Sequence, residues 1–260
     1  MCRFDRRIHV RQGVMFRVFV VMAILAVPLW AGDLEQARQF YAHLEYDAAW
    51  RALGTEDSQD PQVLLLQGQI AYQRGQYTDA VHRLEQAAQV APNSADIFLW
   101  LGRSLGQRAN SVSLRPWAYA QRCREALERA VALDATQVDA LYDLASYYLK
   151  APSFLGGDVG KAETLAAQIA ALDAARGEYL QARMAEARQE FGRAEAHLRR
   201  AVALAPEAPK MLFALAELYI QRQHHLPEAR ALLHRYLQRP LTPEDPPRRD
   251  AERLLAKAGG

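Results

Sequence analysis

Histidines are the residues of this sequence best suited to bind a metal ion, and three of them lie near the carboxyl end. His224 and His225 are adjacent, and His234 follows nine residues later. An imidazole nitrogen is a common ligand of zinc and of other transition metals. However, neighbouring residues of a helix point to different sides, and neither a cysteine nor an HExxH motif accompanies the three histidines. The sequence therefore predicts no metal site here.

A glycine-rich loop between residues 150 and 162 is the second place where chemistry could occur. Gly156 and Gly157 precede Asp158, and Lys161 follows at the start of the next helical pattern. A loop of this kind before a helix can bind phosphate through its backbone N–H groups. The P-loop spacing GxxxxGK[ST] is missing, however, and no strand pattern precedes the loop. We expect the glycines to allow a tight turn and Asp158 to cap the following helix.

The catalytic and cofactor motifs HExxH, CxxC and GxGxxG do not occur in residues 32–260, and the GxSxG match at residues 102–106 lies inside a helical pattern rather than between a strand and a helix. We therefore predict no catalytic residue, no metal and no cofactor, and we expect that the protein is not an enzyme. A ligand-binding or enzymatic role centred on the 150–162 loop is the alternative.

The charge of the chain is unevenly distributed. The sequence has 32 basic and 30 acidic residues, but residues 1–31 contain five arginines and a single acid, Asp5. Residues 32–260 therefore hold 27 basic and 29 acidic residues, and the two signs are interleaved. A body this close to neutral has no basic patch typical of nucleic-acid binding, so we expect no nucleic-acid partner.

Residues 1–31 have the pattern of a bacterial export signal. Arginines precede an apolar run from Val18 to Ala31, which at 14 residues is shorter than the roughly 20 needed to span a bilayer. We expect cleavage after Ala31 and a periplasmic or secreted protein. An uncleaved segment that anchors the protein in the inner membrane is the alternative, and either Met1 or Met15 could be the start.

A repeat of 34 residues is clearest between Pro61 and Ser94. Small and apolar residues recur at helical spacing in two stripes, and Gly75 and Pro92 are placed to end the two helices. The first stripe contains Leu64, Gly68 and Ala71, and the second contains Ala80, Leu84 and Ala87. This pattern resembles the tetratricopeptide repeat, in which two antiparallel helices form each unit.

The second stripe recurs along the chain with the same phase, which predicts six units. They cover residues 33–60, 61–94, 95–137, 138–174, 175–208 and 209–241. The resemblance implies an all-α, right-handed solenoid over residues 32–241, and 242–260 is expected to be a linker and a C-terminal capping helix. Cys123 occupies the small buried position of the third unit, so we expect a packing residue; a reactive thiol is the alternative.

Two units carry insertions. In the third unit residues 104–120 either lengthen both helices or add a loop, and Trp117 and Tyr119 either pack back on the neighbouring pair or form an exposed aromatic contact. In the fourth unit residues 151–160 lengthen the turn. This turn resembles one in a group of bacterial envelope-associated repeat proteins, best over residues 96–174, which implies a common fold.

The first helices of tetratricopeptide stacks line a concave groove, and the register of the repeat predicts which side chains face it. These candidate partner-binding residues are Leu65, Gln69, Tyr72, Leu99, Arg103, Tyr142, Lys150, Phe213 and Glu217. A large apolar residue recurs at the fifth position, which either forms an apolar floor for a peptide or packs between adjacent first helices. The Lys and Asn clamp of co-chaperone repeats is absent, since Gln62, Leu65, Leu66 and Arg103 occupy those places. We expect an exported scaffold or adaptor that binds a protein or peptide partner in this groove.

Overall fold

The computed structural model describes residues 30–54, 58–112 and 115–259, so all but the last two residues of the predicted leader lie outside it. Within these ranges every regular element is helical. The α-helices are α1 (Trp30–Ala42), α2 (Tyr46–Leu53), α3 (Pro61–Gln73), α4 (Tyr77–Val90), α5 (Ala95–Ser111), α6 (Pro116–Leu133), α7 (Val138–Lys150), α8 (Val159–Leu172), α9 (Ala174–Ala187), α10 (Phe191–Leu204), α11 (Pro209–Gln221), α12 (Leu226–Leu237) and α13 (Arg248–Gly259). No helix among them is both long and apolar enough to cross a bilayer.

The helices pack in chain order as six pairs, from α1 with α2 to α11 with α12. The remaining helix, α13, packs on α12 and α11 and buries Ala251, Leu254 and Ala258. The prediction of an all-α stack of six helix pairs with a terminal capping helix is therefore confirmed.

The two ends of α3 show how the local sequence determines where a helix begins and ends. The Asp60 side chain caps the amino end by accepting a hydrogen bond of 2.8 Å from the Gln62 backbone N–H, and Pro61 is the first helical residue. After the other end Gly75 has φ +74°, a left-handed conformation that glycine adopts without steric cost. These two signals restrict the helix to residues 61–73.

Within each pair, small residues let two helices approach closely. A Cβ atom on Gly68 would lie 2.5 Å from Cγ of Leu84, and one on Gly102 would lie 2.7 Å from Cγ of Leu127. Cys123 is only 6% exposed and packs in the same layer of the third unit. This confirms its predicted place as a small, buried residue.

The insertion in the third unit lengthens both of its helices, to 17 residues in α5 and 18 in α6. Tyr119 packs on the core and lies under the guanidinium of Arg108, 5.6 Å from its ring centre. Trp117 is 55% exposed. Tyr119 therefore follows the alternative in which the side chain packs back on the neighbouring pair. Trp117, the second residue of α6, follows the exposed alternative.

The stack is curved, with the first helices of the units on its inner side. Successive first helices contact each other in the series α1, α3, α5, α7 and α9. No comparable contact joins successive second helices in the described part of the chain. The first helices are therefore closer together and form the concave face.

Candidate binding groove

A ladder of ion pairs connects the first helices of three consecutive units. Nε of Arg103 on α5 lies 2.6 Å from a carboxylate oxygen of Asp143 on α7. Its Nη2 lies 3.9 Å from Asp139, which in turn lies 2.5 Å from Arg176 on α9. Because each pair joins two different units, the ladder holds the concave face in one register.

The surroundings of Arg103 favour its charged form. Burial by itself lowers the pKa of the guanidinium, but the neighbouring groups, Asp143 foremost and then Asp139, together outweigh burial, so the pKa is raised overall. The guanidinium also lies 4.7 Å from the ring centre of Trp100, within range of a cation–π interaction. Arg103 therefore serves mainly to hold neighbouring helices together, and the carboxylates beside it largely neutralise its charge within the groove.

Aromatic contacts join neighbouring units along the same face. The rings of Tyr142 and Tyr179 are stacked, with centres 5.6 Å apart and an angle of 15° between their planes. Tyr72 meets Trp100 edge to face at 5.4 Å. Burial raises the pKa of both Tyr142 and Tyr179 above the ordinary value of 10.0, so these hydroxyls stay protonated in mildly alkaline solution as well as at neutral pH.

The structure separates the candidate groove residues into two groups. Leu99 and Phe213 are only 3% and 8% exposed, and Phe213 lies against Tyr236 inside the last pair. Leu99 and the stacked Tyr142 follow the packing alternative, because the first helices of the middle units are close enough to bury a large side chain between them. Phe213 is instead buried within its own pair, against α12. The more accessible candidates are Leu65, Gln69, Tyr72, Arg103, Lys150 and Glu217.

Three of these accessible residues, Tyr72, Arg103 and Lys150, line one cavity of about 390 Å³. The cavity lies between the third and fourth units, and both insertions contribute to it. The lengthened α5 and α6 supply Gln107, Ala109, Asn110 and Ala120, α7 supplies Asp143, Ser146 and Tyr147, and the following loop supplies Ala151, Pro152 and Leu155. Sequence reasoning identified the two insertions separately but did not show that they meet.

The loop that borders this cavity is fixed by hydrogen bonds to α7 and by two glycines. The Tyr147 hydroxyl donates to the Leu155 carbonyl at 2.9 Å, and the Asp158 backbone N–H donates to the Tyr148 carbonyl at 2.9 Å. Gly156 has φ +87°, and a Cβ atom on Gly157 would lie 1.7 Å from the Ala151 carbonyl oxygen. Only glycine fits both positions, for two different reasons.

The predicted helix cap at this loop is also confirmed. The Asp158 side chain accepts a hydrogen bond of 3.1 Å from the Lys161 backbone N–H. The Lys161 ammonium lies 5.2 Å from the ring centre of Tyr148. The amino end of α8 therefore has its own acidic cap, and its lysine lies against an aromatic ring.

The segment between α12 and α13 crosses to the first two units. The Gln73 side chain at the end of α3 donates to the Pro243 carbonyl at 2.9 Å. Leu44, in the turn between α1 and α2, packs against the same apolar cluster as Leu241. Residues 238–247, here called the C-terminal strap, therefore connect both ends of the stack.

The helix that follows the strap covers the groove side of the last unit. Phe213, Glu217 and Ile220 of α11 line a cavity of about 400 Å³ together with Leu254 and Lys257 of α13. Phe213 and Glu217 are groove positions by register. The chain itself therefore occupies the carboxyl end of its groove, and the open part lies over the middle units.

The histidines are arranged differently from the sequence-based expectation. His224 and His225 lie in the turn between α11 and α12, where His225 has φ +50°. The assumption that both lie on one helix is therefore wrong, and their rings face each other with centres 4.7 Å apart. Glu195 of α10 lies beside them. No signal in the sequence connected this carboxylate, which is 29 residues earlier, with the histidine pair.

Two family models match the chain: one described as the TPR repeat at residues 68–107, and one described as the tetratricopeptide repeat at residues 179–246. No curated protein sequence matches it.

Among solved structures, the chain is similar to a chain of the APC/C Cut9–Hcn1 hetero-tetramer, with a TM-score of 0.58 and 17% identity over 88% of this chain and 42% of that one. It is also similar to PilF of Pseudomonas aeruginosa, with a TM-score of 0.50 and 14% identity over 76% of this chain and 88% of that one. The thermophilic TPR protein TTC0263 of Thermus thermophilus is 22% identical over 88% of this chain and 97% of that one, with a TM-score of 0.49. At these identities the likeness concerns the fold alone. The two family models, the 34-residue spacing and the six stacked helix pairs show that the described part of the chain is built of tetratricopeptide repeats. Proteins with such repeats generally bind protein partners.

Proposed function

We propose that this protein is an exported, non-catalytic scaffold that binds a protein or peptide partner on its concave face, in the bacterial periplasm or outside the cell. The observation that carries the proposal is the convergence of Tyr72, Arg103 and Lys150, three groove positions predicted from the repeat register, on one cavity of about 390 Å³. A cavity of this size accommodates a large side chain of a partner segment.

The chemistry of the cavity favours a peptide with an apolar anchor and polar neighbours. Its lining includes Leu127, Ala120 and Gly106, and also Gln107 and Ser146, whose side chains can hydrogen-bond to a peptide backbone. Since Arg103 is neutralised by Asp143, it is poorly suited to capture a terminal carboxylate. The anchor is therefore expected to be an aliphatic or aromatic side chain.

Export is supported by the leader pattern of residues 1–31. The test is the mass of the protein recovered from cells. Loss of about thirty residues indicates cleavage, whereas a full-length mass in a membrane fraction favours an anchored protein. A full-length mass in the cytoplasm would contradict export.

The binding proposal is tested by filling the cavity without disturbing the core. Ala109 lies on α5 and lines the cavity, so Ala109→Trp introduces a bulky side chain where the anchor would lie. Ala167 is exposed on α8, and Ala167→Trp is the matched control. We expect crosslinked envelope partners to be recovered with wild type and with the control and to be lost with Ala109→Trp.

Equal recovery with both tryptophan variants would show that partners bind elsewhere. A thermal-shift screen with nucleotides and glycans distinguishes the alternative role of the 150–162 loop, because a ligand that binds only the folded state raises its stability. A stabilisation that disappears in Ala109→Trp would replace the peptide proposal with small-ligand binding.

A further inference from the structure

The turn between α11 and α12 brings three metal-ligating side chains together. One ligand atom from each of Glu195, His224 and His225 lies within 4.8 Å of the other two. Nε2 of His224 is 3.9 Å from Oε2 of Glu195, and Nε2 of His225 is 3.9 Å from Oε1. Two of the three residues were already the strongest metal-binding candidates of the sequence.

The distances between these groups bear on whether they are hydrogen-bonded to one another or leave space for an ion. A separation of 3.9 Å is too long for a hydrogen bond between an imidazole and a carboxylate. Ligand bonds of about 2.0–2.2 Å to a tetrahedral ion place the ligand atoms about 3.4 Å from each other. The two imidazole–carboxylate separations are therefore about half an ångström longer than in a loaded site, a gap that side-chain rotation can close.

Neighbouring groups orient the carboxylate. Oε1 of Glu195 accepts hydrogen bonds from Arg199 at 3.0 Å and from the Tyr219 hydroxyl at 3.4 Å. The Tyr219 ring also packs against both imidazoles, with centres about 5 Å away. Because both hydrogen bonds go to Oε1, Oε2 is the oxygen better placed to bind an ion. Hydrogen bonds to a metal-binding carboxylate typically hold it in the orientation that ligation requires.

Arg199 opposes a cation at this position, since its positive charge lies next to Glu195. It has a second partner, however, because its Nη2 lies 3.1 Å from Glu228. When a cation binds, Arg199 can keep this ion pair and release Glu195. The opposing charge reduces the affinity but leaves the donor set intact.

We propose that Glu195, His224 and His225 form a surface site for a divalent transition-metal ion. Two imidazoles and one carboxylate are the donor set that suits zinc, and sites with three protein ligands leave a position open for water. The site lies at the turn of the last helix pair and is separate from the cavity over the middle units.

The test titrates zinc chloride into the full-length, tag-free chain, freed of metal with a chelator, and follows the heat of binding. We expect one ion per chain. His224→Ala, His225→Ala and Glu195→Gln should each weaken binding at least tenfold. His234→Ala, which removes an exposed histidine of α12, should leave it unchanged. Arg199→Gln should tighten binding, because it removes the opposing charge.

Folding is monitored separately, by melting each variant in chelator, so that a misfolded variant is recognised. His224→Gln serves as a more conservative replacement if His224→Ala unfolds. The proposal is overturned if wild type binds zinc no more tightly than the His224→Gln, His225→Gln double variant, or if His234→Ala removes the binding.

Discussion

Cys123 shows how packing can suppress the reactivity of a thiol. Its burial, with a further contribution from the Asp143 charge, raises the pKa of the thiol to about 12. The thiolate, which is the nucleophilic form, is therefore almost unpopulated at neutral pH. Packing thus favours a structural role for this cysteine over a redox role.

We predict that a thiol reagent modifies Cys123 only after unfolding. In a Cys2→Ser chain, the rate with an aromatic disulfide reagent should rise with denaturant and be very low without it. The control is Ala167→Cys in a chain lacking both native cysteines, which should react at once because position 167 is exposed. A fast reaction of Cys123 in native buffer would contradict its burial.

The same thiol predicts a loss of stability at alkaline pH. The unfolded thiol ionises near its ordinary pKa of 9.0, while the folded thiol keeps its proton up to about pH 12. Stability from this group is therefore present below pH 9 and is lost as the pH rises towards 12. Denaturant unfolding of wild type and Cys123→Ala should show a smaller alkaline loss in the variant, and parallel curves would refute the assignment.

The ion pair between Arg103 and Asp143 should contribute more than a surface pair. Both side chains are largely buried and belong to different units. A double-mutant cycle with Arg103→Ala and Asp143→Ala should give a coupling energy of roughly 0.5–3 kcal/mol in urea unfolding. The more exposed i,i+3 pair of Arg253 and Asp250 on α13 is the control, with an expected coupling of about 0.2–0.5 kcal/mol. Equal couplings would mean that the ladder does not hold the units together.

At the scale of helices, the spacing within a pair depends on residues without bulk. Gly68 faces Leu84 so closely that a methyl group would overlap with it. Gly192, by contrast, lies in α10 with nothing within 4 Å of the position of an added Cβ. A substitution at Gly68 therefore tests the packing between two helices, whereas a substitution at Gly192 tests only the conformational freedom of the backbone.

We predict opposite outcomes for the same substitution at these positions. Gly68→Ala should destabilise the protein by about 1–3 kcal/mol, because overpacking forces α3 and α4 apart. Gly192→Ala should stabilise it by about 0.5 kcal/mol, because alanine restricts the unfolded chain more than glycine does. Both values can be measured by denaturant unfolding. A neutral Gly68→Ala would show that the pair adjusts without cost.

At the scale of the whole molecule, the C-terminal strap connects the last unit of the stack to the first two units. Leu44 in the first unit packs on the apolar cluster that holds Leu241 and α13. Its φ of +65° is one that aspartate tolerates better than leucine. Leu44→Asp should therefore weaken the closure without disturbing its own turn.

We expect Leu44→Asp to increase the radius of gyration measured by small-angle X-ray scattering. The cause is the loss of an apolar contact that holds the two ends together. Leu172→Asp, at the exposed carboxyl end of α8, is the control and should leave the radius unchanged. If both variants scatter as wild type does, contacts such as that of Gln73 with Pro243 are sufficient for closure.

The periodic pattern of the sequence was sufficient to predict the six helix pairs, the terminal helix, the buried place of Cys123 and the cap at Asp158. These features depend on spacing within about 34 residues, and helix periodicity, caps and small residues act over that range. The sequence also indicated Tyr72, Arg103 and Lys150, the groove positions that line the cavity.

The tertiary structure alone decided which side chains meet across units. Leu99 and Phe213 share a register with exposed groove positions but are buried, because curvature brings the first helices together and α13 covers the last one. The cavity, the strap contact and the convergence of Glu195 with the histidine pair likewise depend on how units stack. Small rotations between neighbouring repeats add up along a solenoid and set its overall curvature. The residue pattern within one repeat does not show how large this accumulated rotation is.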